Sequence, residues 1–167
     1  RKMNPRSLSV SNNFKFGSKR KGDVNLLKKF SNECNYQLLK INPFKYSKKI
    51  VSSTRIRKCL KNGNIWLANR LLSRTWSIDG EVKKGKKIGR KLGYRTCNIK
   101  VKDYILPKNG IYAVKISIGD EKRKHGGVAY LGTRPTFGGK EIFLEINIFG
   151  IKRSLYKKKL RVFFLKF

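Results

Sequence analysis

Six short segments, 76–82, 95–101, 111–118, 126–131, 142–149 and 160–166, alternate or run apolar and β-branched, with Gly, Pro, Asn or Asp between them. Side chains along a strand point to opposite faces in turn, so each such segment offers one face to a core. Several strands at this spacing predict an antiparallel barrel or sandwich and not βαβ units. The pattern sets in at Trp76. Before it the chain alternates strand-like and helix-like pieces. Asp23 is placed to cap a helix through Phe30, with Val24, Leu27 and Phe30 on one face. Residues 36–41 read as a short strand ended by Pro43. Ser52 or Ser53 suits the N-cap of a helix carrying Ile56, Cys59 and Leu60, and Asn62-Gly63 supplies its stop. A second short helix carries Ile65, Ala68, Leu71 and Leu72. The first part is therefore α/β, the second all-β, and the boundary belongs near residues 73–76.

Composition removes several classes. No run of eighteen apolar residues occurs, so no membrane-spanning helix is expected, and residues 1–20 lack the pattern of a secretory signal. Cys34, Cys59 and Cys97 are odd in number and widely spaced, which forms neither a disulfide framework nor a CxxC zinc site and fits a cytoplasmic setting. His125 is the one histidine in the sequence, which argues against a Ser-His-Asp engine or a histidine-rich metal site. With 42 basic against 9 acidic residues the net charge is +33. That is the footprint of a nucleic-acid binder, or of a solvated, lysine-biased surface. The load is even, 19 basic residues before Trp76 and 23 from it onward, which favours the surface reading. Either way, anionic ligands are attracted.

Three stretches carry candidate chemistry. Ser52-Ser53-Thr54-Arg55-Ile56-Arg57 places hydroxyls and unpaired backbone N–H groups at a helix start, a suitable site for a phosphate; it also describes a capped helix with exposed arginines. Residues 85–98 hold three glycines among basic side chains, suited to a polyphosphate, followed by Thr96 and Asn98 on one side of a strand with oxygens suited to Mg²⁺. A glycine-rich hairpin loop reads the same way. In Phe143-Leu144-Glu145-Ile146-Asn147-Ile148-Phe149, Glu145 and Asn147 share the polar face; a carboxylate projecting into a barrel mouth can take a proton from a hydroxyl, and a solvated outward glutamate fits the pattern equally. Residues 132–137 read as a turn carrying Arg134.

Taken in order, Ser-Ser-Thr-Arg-Ile-Arg (52–57), Gly-Arg-Lys-Leu-Gly-Tyr-Arg-Thr-Cys-Asn (89–98), Gly-Ile-Tyr-Ala-Val (110–114), Gly-Thr-Arg-Pro-Thr-Phe (132–137) and Leu-Glu-Ile-Asn (144–147) resemble the bifunctional riboflavin kinase/FMN adenylyltransferase family, the prokaryotic FAD synthetases. Residues 13–23 resemble that family's adenylyltransferase half, and the likeness extends from residue 10 to residue 166. The resemblance implies an α/β nucleotidyltransferase remnant over residues 1–73. It implies a six-stranded antiparallel, Greek-key type riboflavin kinase barrel over 74–167. It further implies that Thr96 and Asn98 hold Mg²⁺ and the nucleotide phosphates, with Gly89, Arg90 and Gly93 in a loop over the ATP phosphates. Glu145 takes the place of the catalytic base, acting on the ribityl 5′-hydroxyl of riboflavin to give FMN. Asn13, Arg20, Ser53, Thr54 and Arg57 fall on the adenylyltransferase remnant. The family's Pro-Thr-Ala-Asn is here Arg95-Thr96-Cys97-Asn98, its histidine two residues after the glutamate is Asn147, and Ser73 and Thr75 stand for a glycine and a proline. The family's His-x-Gly-His signature has no counterpart, so FAD formation by this chain alone is not expected. The implied partners are small molecules, and neither a membrane nor, despite the high basic charge, a nucleic acid is expected as a partner. Two alternatives stand beside the kinase: a basic nucleic-acid-binding β-barrel and an inactive flavin- or nucleotide-binding remnant.

Overall fold

A computed structural model describes residues 5–83, 96–101, 104–136 and 139–167. They form two compact units, residues 1–51 and 52–167.

In the first unit, β1 (Ser7–Ser11) pairs in parallel with β4 (Gln37–Ile41). Parallel neighbours need a crossover, and α1 (Val24–Glu33) supplies it. Asp23 caps this helix as its sequence predicts, its carboxylate accepting from the backbone N–H groups of Asn25 and Leu26 at 3.0 Å each. The Leu26 N–H holds the Asp23 pKa below its ordinary value. Between β1 and α1 lie β2 (Lys15–Phe16), a turn of 3₁₀ helix at Ser18–Arg20 and β3 (Gly22–Asp23); β5 (Lys45–Tyr46) and β6 (Lys49–Ile50) form a short hairpin at the unit's end.

The second unit begins with two helices, α2 (Ser53–Lys61) and α3 (Ile65–Leu72). Ser52 caps α2, its hydroxyl accepting from the Arg55 N–H at 3.3 Å. Gly63, at φ +76°, turns the chain where the Asn-Gly pair predicts a stop. Ser73 closes α3 at φ +54°, a left-handed conformation in which glycine would carry no Cβ strain. Asn69 ties α3 to the barrel: its Nδ2 donates to the Phe164 carbonyl at 2.9 Å and its Oδ1 accepts from the Trp76 N–H at 2.8 Å. The compact unit therefore begins upstream of the point where strand patterning starts.

All six barrel strands fall on the segments predicted for them: β7 (Ser77–Lys83), β8 (Thr96–Lys100), β9 (Gly110–Ile118), β10 (His125–Thr136), β11 (Gly139–Ile148) and β12 (Lys159–Lys166). They close in the order β10-β11-β8-β7-β12-β9. Strands β9, β10 and β11 run as consecutive hairpins, and β12 returns beside β9, giving the 4-1-2-3 order of a Greek key. Closure leaves no edge strand. The interior takes every second residue: Tyr112, Val114 and Ile116 from β9, Leu144 and Ile146 from β11, Leu160, Val162 and Phe164 from β12. The Phe164 ring packs 4.9 Å from Trp76 and 5.0 Å from Tyr112 between centroids. Burial pushes the Tyr112 hydroxyl up to about 12, and that hydroxyl donates to the Lys108 carbonyl.

One expectation changes and one open alternative is decided. Gly132–Thr136 is not a turn but the end of β10, paired in register with β11 down to Thr136 opposite Gly139; the hydrogen-bonded ladder overrides the turn signal of Pro135. The polar face of β11 also does not point into a barrel mouth. Leu144 and Ile146 fill the interior, so Glu145 projects from the outer surface of the wall.

Candidate active site on the outer wall of the barrel

The register of β8 against β11 places Glu145 opposite Asn98 and Asn147 opposite Thr96. These four residues share the outer face, while Cys97 and Ile99, facing Ile146 and Leu144, point inward. The Thr96 hydroxyl donates to Glu145 Oε1 at 2.7 Å. This bond joins residues 49 apart in sequence. A threonine hydroxyl that gives its proton to a carboxylate keeps two lone pairs for a cation or a metal-bound water.

Asn98 is the buried polar residue among the described positions, 7% exposed, and its side-chain oxygen has no hydrogen-bond partner. Leaving a buried acceptor unpaired costs about 1–3 kcal/mol. Such an atom is retained at that cost when it serves a ligand. A neutral amide oxygen beside a carboxylate and a hydroxyl is a hard-oxygen donor set, which suits Mg²⁺. Among the described residues no cluster of three His, Cys, Asp or Glu side chains forms a metal cage.

Cys97 lies directly behind these groups. Its thiol is pushed up to about 11, chiefly by burial, with the Glu145 charge raising it further. At pH 8 such a thiol is roughly 0.1% thiolate, and the thiolate is the reactive form. Cys34 is exposed. Iodoacetamide at pH 8 will therefore modify Cys34 and leave Cys97 unmodified in the folded protein, as peptide mass spectrometry will show; alkylation of both at similar rates would disprove the inward placement of Cys97.

The remaining predicted residues fall elsewhere. Gly89, Arg90 and Gly93 lie outside the described residues, as does Arg95. Asn13 and Arg20 belong to the first unit, where the Ser11 hydroxyl donates to Asn13 Oδ1 at 2.8 Å and Arg20, at φ +56°, ends the 3₁₀ turn. Ser53, Thr54 and Arg57 belong to the second unit, at the start of α2. There Arg57 Nη1 donates to the Ser53 hydroxyl at 3.1 Å, so part of the predicted phosphate site is satisfied internally.

The acidic residues are not evenly spread. Asp79, Glu81, Asp120 and Glu121, four of the nine, line one concavity on β7, β9 and β12. Basic partners neutralise most of that charge. Arg161 grips Asp79 with two bonds of 2.7 and 2.8 Å, Lys83 holds Glu81, and Glu121 pairs with Arg153 and His125. The arginine and lysine pairs are solvent-exposed and screened, so they contribute little to stability. No helix among the described residues is long and apolar enough to cross a membrane.

Comparison with known proteins agrees with the barrel fold. Residues 72–167 match the family model for riboflavin kinase, and residues 1–55 match that for FAD synthetase. The bifunctional riboflavin kinase/FMN adenylyltransferase of Buchnera aphidicola subsp. Schizaphis graminum is 42% identical over 168 residues, covering 99% of this chain and 54% of the relative. The protein of the same name from Escherichia coli K12 is 34% identical over 155 residues, covering 93% of this chain and 49% of the relative. The chain thus spans about half the length of the curated relatives it matches. A crystal structure from Streptococcus pneumoniae, described as a macrolide-efflux protein, superposes with a TM-score of 0.82 at 30% identity, over 93% of this chain and 50% of that one. Its description concerns that protein and finds no support in either family match here. The ordered motifs, the Greek-key barrel and the family match over residues 72–167 converge: the chain belongs to the riboflavin kinase family.

Proposed function

We propose that the barrel is a riboflavin kinase, transferring the γ-phosphoryl group of ATP to the 5′-hydroxyl of riboflavin to give FMN and ADP. The observation that carries this reading is the triad on the outer wall: the Glu145 carboxylate held by the Thr96 hydroxyl and set across the strand from the unpaired Asn98 oxygen. Glu145 accepts the proton of the ribityl hydroxyl while that oxygen forms its bond to phosphorus and the bond to the ADP oxygen breaks. The hydrogen bond from Thr96 fixes the carboxylate toward the acceptor, so that little orientation is left to chance. Asn98 and Thr96 are the residues that would hold Mg²⁺. When bound, that cation neutralises charge on the transferring phosphate. Positioning does most of the work in phosphoryl transfer, which is why a site of three side chains on a rigid barrel suffices.

The domain assignment belongs to the same proposal. Residues 1–73 are part of the FMN adenylyltransferase half of the intact protein and residues 74–167 form the kinase half. The FAD synthetase match over 1–55 supports this. An ATP substrate and three free cysteines support a cytoplasmic setting. The family matches favour the kinase over a nucleic-acid-binding barrel as the role of the basic surface.

The test is conversion of riboflavin to FMN by the purified chain with ATP and Mg²⁺, resolved by chromatography. FMN is the expected product, without FAD. A folded chain that binds riboflavin or ATP yet makes no FMN would establish the inactive remnant instead.

A further inference from the structure

One transverse row crosses five of the six strands on the outer face: Ile111 on β9, Tyr130 on β10, Glu145 on β11, Asn98 on β8 and Lys83 on β7. Asn98 and Lys83 lie on one flank of Glu145, and Tyr130 and Ile111 lie on the other. The second flank is apolar and open: Tyr130 is 51% exposed and Ile111 is 63% exposed. Neighbouring strands are about 4.8 Å apart, so the Tyr130 backbone stands one strand spacing from that of Glu145.

The Tyr130 ring has a seat built for it. A Cβ on Gly132, two residues along the same face, would stand 2.5 Å from ring carbon Cε1 and from the hydroxyl oxygen of Tyr130. The ring therefore lies along the strand over Gly132, in space that any other residue would fill. Gly132 itself is buried beneath it, while half of Tyr130 stays exposed. Phe143 on β11 is the cross-strand partner of Gly132 and extends the same surface. An aromatic ring laid against a sheet, with one face covered and the other open beside a catalytic carboxylate, is a stacking platform. Both substrates of the proposed reaction carry a planar heteroaromatic ring, and both have a reacting end that must come to Glu145.

We propose that Tyr130 is a substrate-binding residue that stacks against the planar ring of one of the two substrates, with Gly132 making room for it. This rests on the riboflavin kinase reading of the Glu145 site. The row order places Tyr130 on the flank away from the cation-binding oxygens, and the test separates the flavin ring from the adenine ring.

The experiment uses the full chain, with Tyr130→Ala, Tyr130→Phe and Gly132→Val as variants. Riboflavin affinity is read from quenching of its own fluorescence, and MgADP affinity from calorimetry. Removing the ring weakens one of these ligands about tenfold or more, in line with the effect of removing an aromatic from a base stack; the other shifts less than twofold. Tyr130→Phe keeps parent affinity, because the ring and not the hydroxyl makes the contact. Gly132→Val pushes the ring off its seat and reproduces the alanine result. Loss confined to riboflavin assigns the flavin ring, and loss confined to MgADP assigns adenine. Unchanged affinities in Tyr130→Ala, or equal loss of both ligands, overturn the proposal while leaving the kinase reading intact. A parent chain that binds neither ligand overturns the kinase reading and this inference with it.

Discussion

Glu145→Gln lowers FMN formation about 10²–10⁴-fold, the usual contribution of a positioned general base, and leaves riboflavin affinity within about twofold. The substitution keeps size and shape. The glutamine carbonyl still accepts the Thr96 hydroxyl proton, so the 2.7 Å bond that orients the side chain survives. What disappears is the capacity to receive a proton from the attacking hydroxyl. Phosphoryl transfer is loose and asks little of a base until late in the reaction, which puts the expected loss toward the lower end of the range. Single-turnover measurement of FMN formation at saturating substrates isolates this step from binding and product release. A variant that keeps parent rates would show that Glu145 only positions substrate. The adjoining Thr96→Val variant should then lose more than Glu145→Gln, since it alone breaks the bond that orients the side chain.

How much of this was legible in the sequence depends on distance along the chain. The barrel strands were, because each repeats its pattern within five to twelve residues and burial of one face enforces it locally. The caps at Asp23 and Ser52 were legible for the same reason: a side chain two or three residues from the N–H groups it satisfies leaves a local signature. Strand β1 was not. Ser7-Leu8-Ser9-Val10-Ser11 is short and polar, and only its parallel partner 30 residues on makes it a strand. The side of the wall that bears Glu145 was half legible, since alternation separates two faces without saying whether the polar one lines a mouth. Closure of the barrel around Leu144 and Ile146 decides it.

The site itself is a product of register. Thr96, Asn98 and Glu145 meet because β8 and β11 pair antiparallel with Glu145 opposite Asn98, and nothing in either segment alone announces that pairing. The family resemblance supplied the three residues together; the fold supplies the reason they touch. The extent of the second unit was hidden similarly. The change of pattern at Trp76 marks where strands begin, whereas α2 and α3 join the barrel through side chains such as Asn69, whose bond to Phe164 spans 95 residues.

Asn98→Leu should separate stability from activity in opposite senses. The substitution is nearly isosteric, and it removes a buried oxygen that no group of the protein satisfies. An unpaired buried acceptor is a standing cost of about 1–3 kcal/mol, so the leucine variant should be no less stable than the parent by urea denaturation, within about 0.5 kcal/mol, and can gain. FMN formation should fall on the order of 100-fold, with a higher Mg²⁺ requirement, because the cation loses an oxygen donor that Thr96 alone cannot replace. Asn98→Asp sharpens the comparison. It retains a donor oxygen but sets a second carboxylate directly across from Glu145, a like-charge cross-strand pair that destabilises the sheet, and saturating Mg²⁺ should recover stability through binding to the folded state. If Asn98→Leu instead costs more than about 2 kcal/mol and leaves the Mg²⁺ dependence unchanged, the amide is a structural group bonded within the wall. The cation would then have to be held elsewhere.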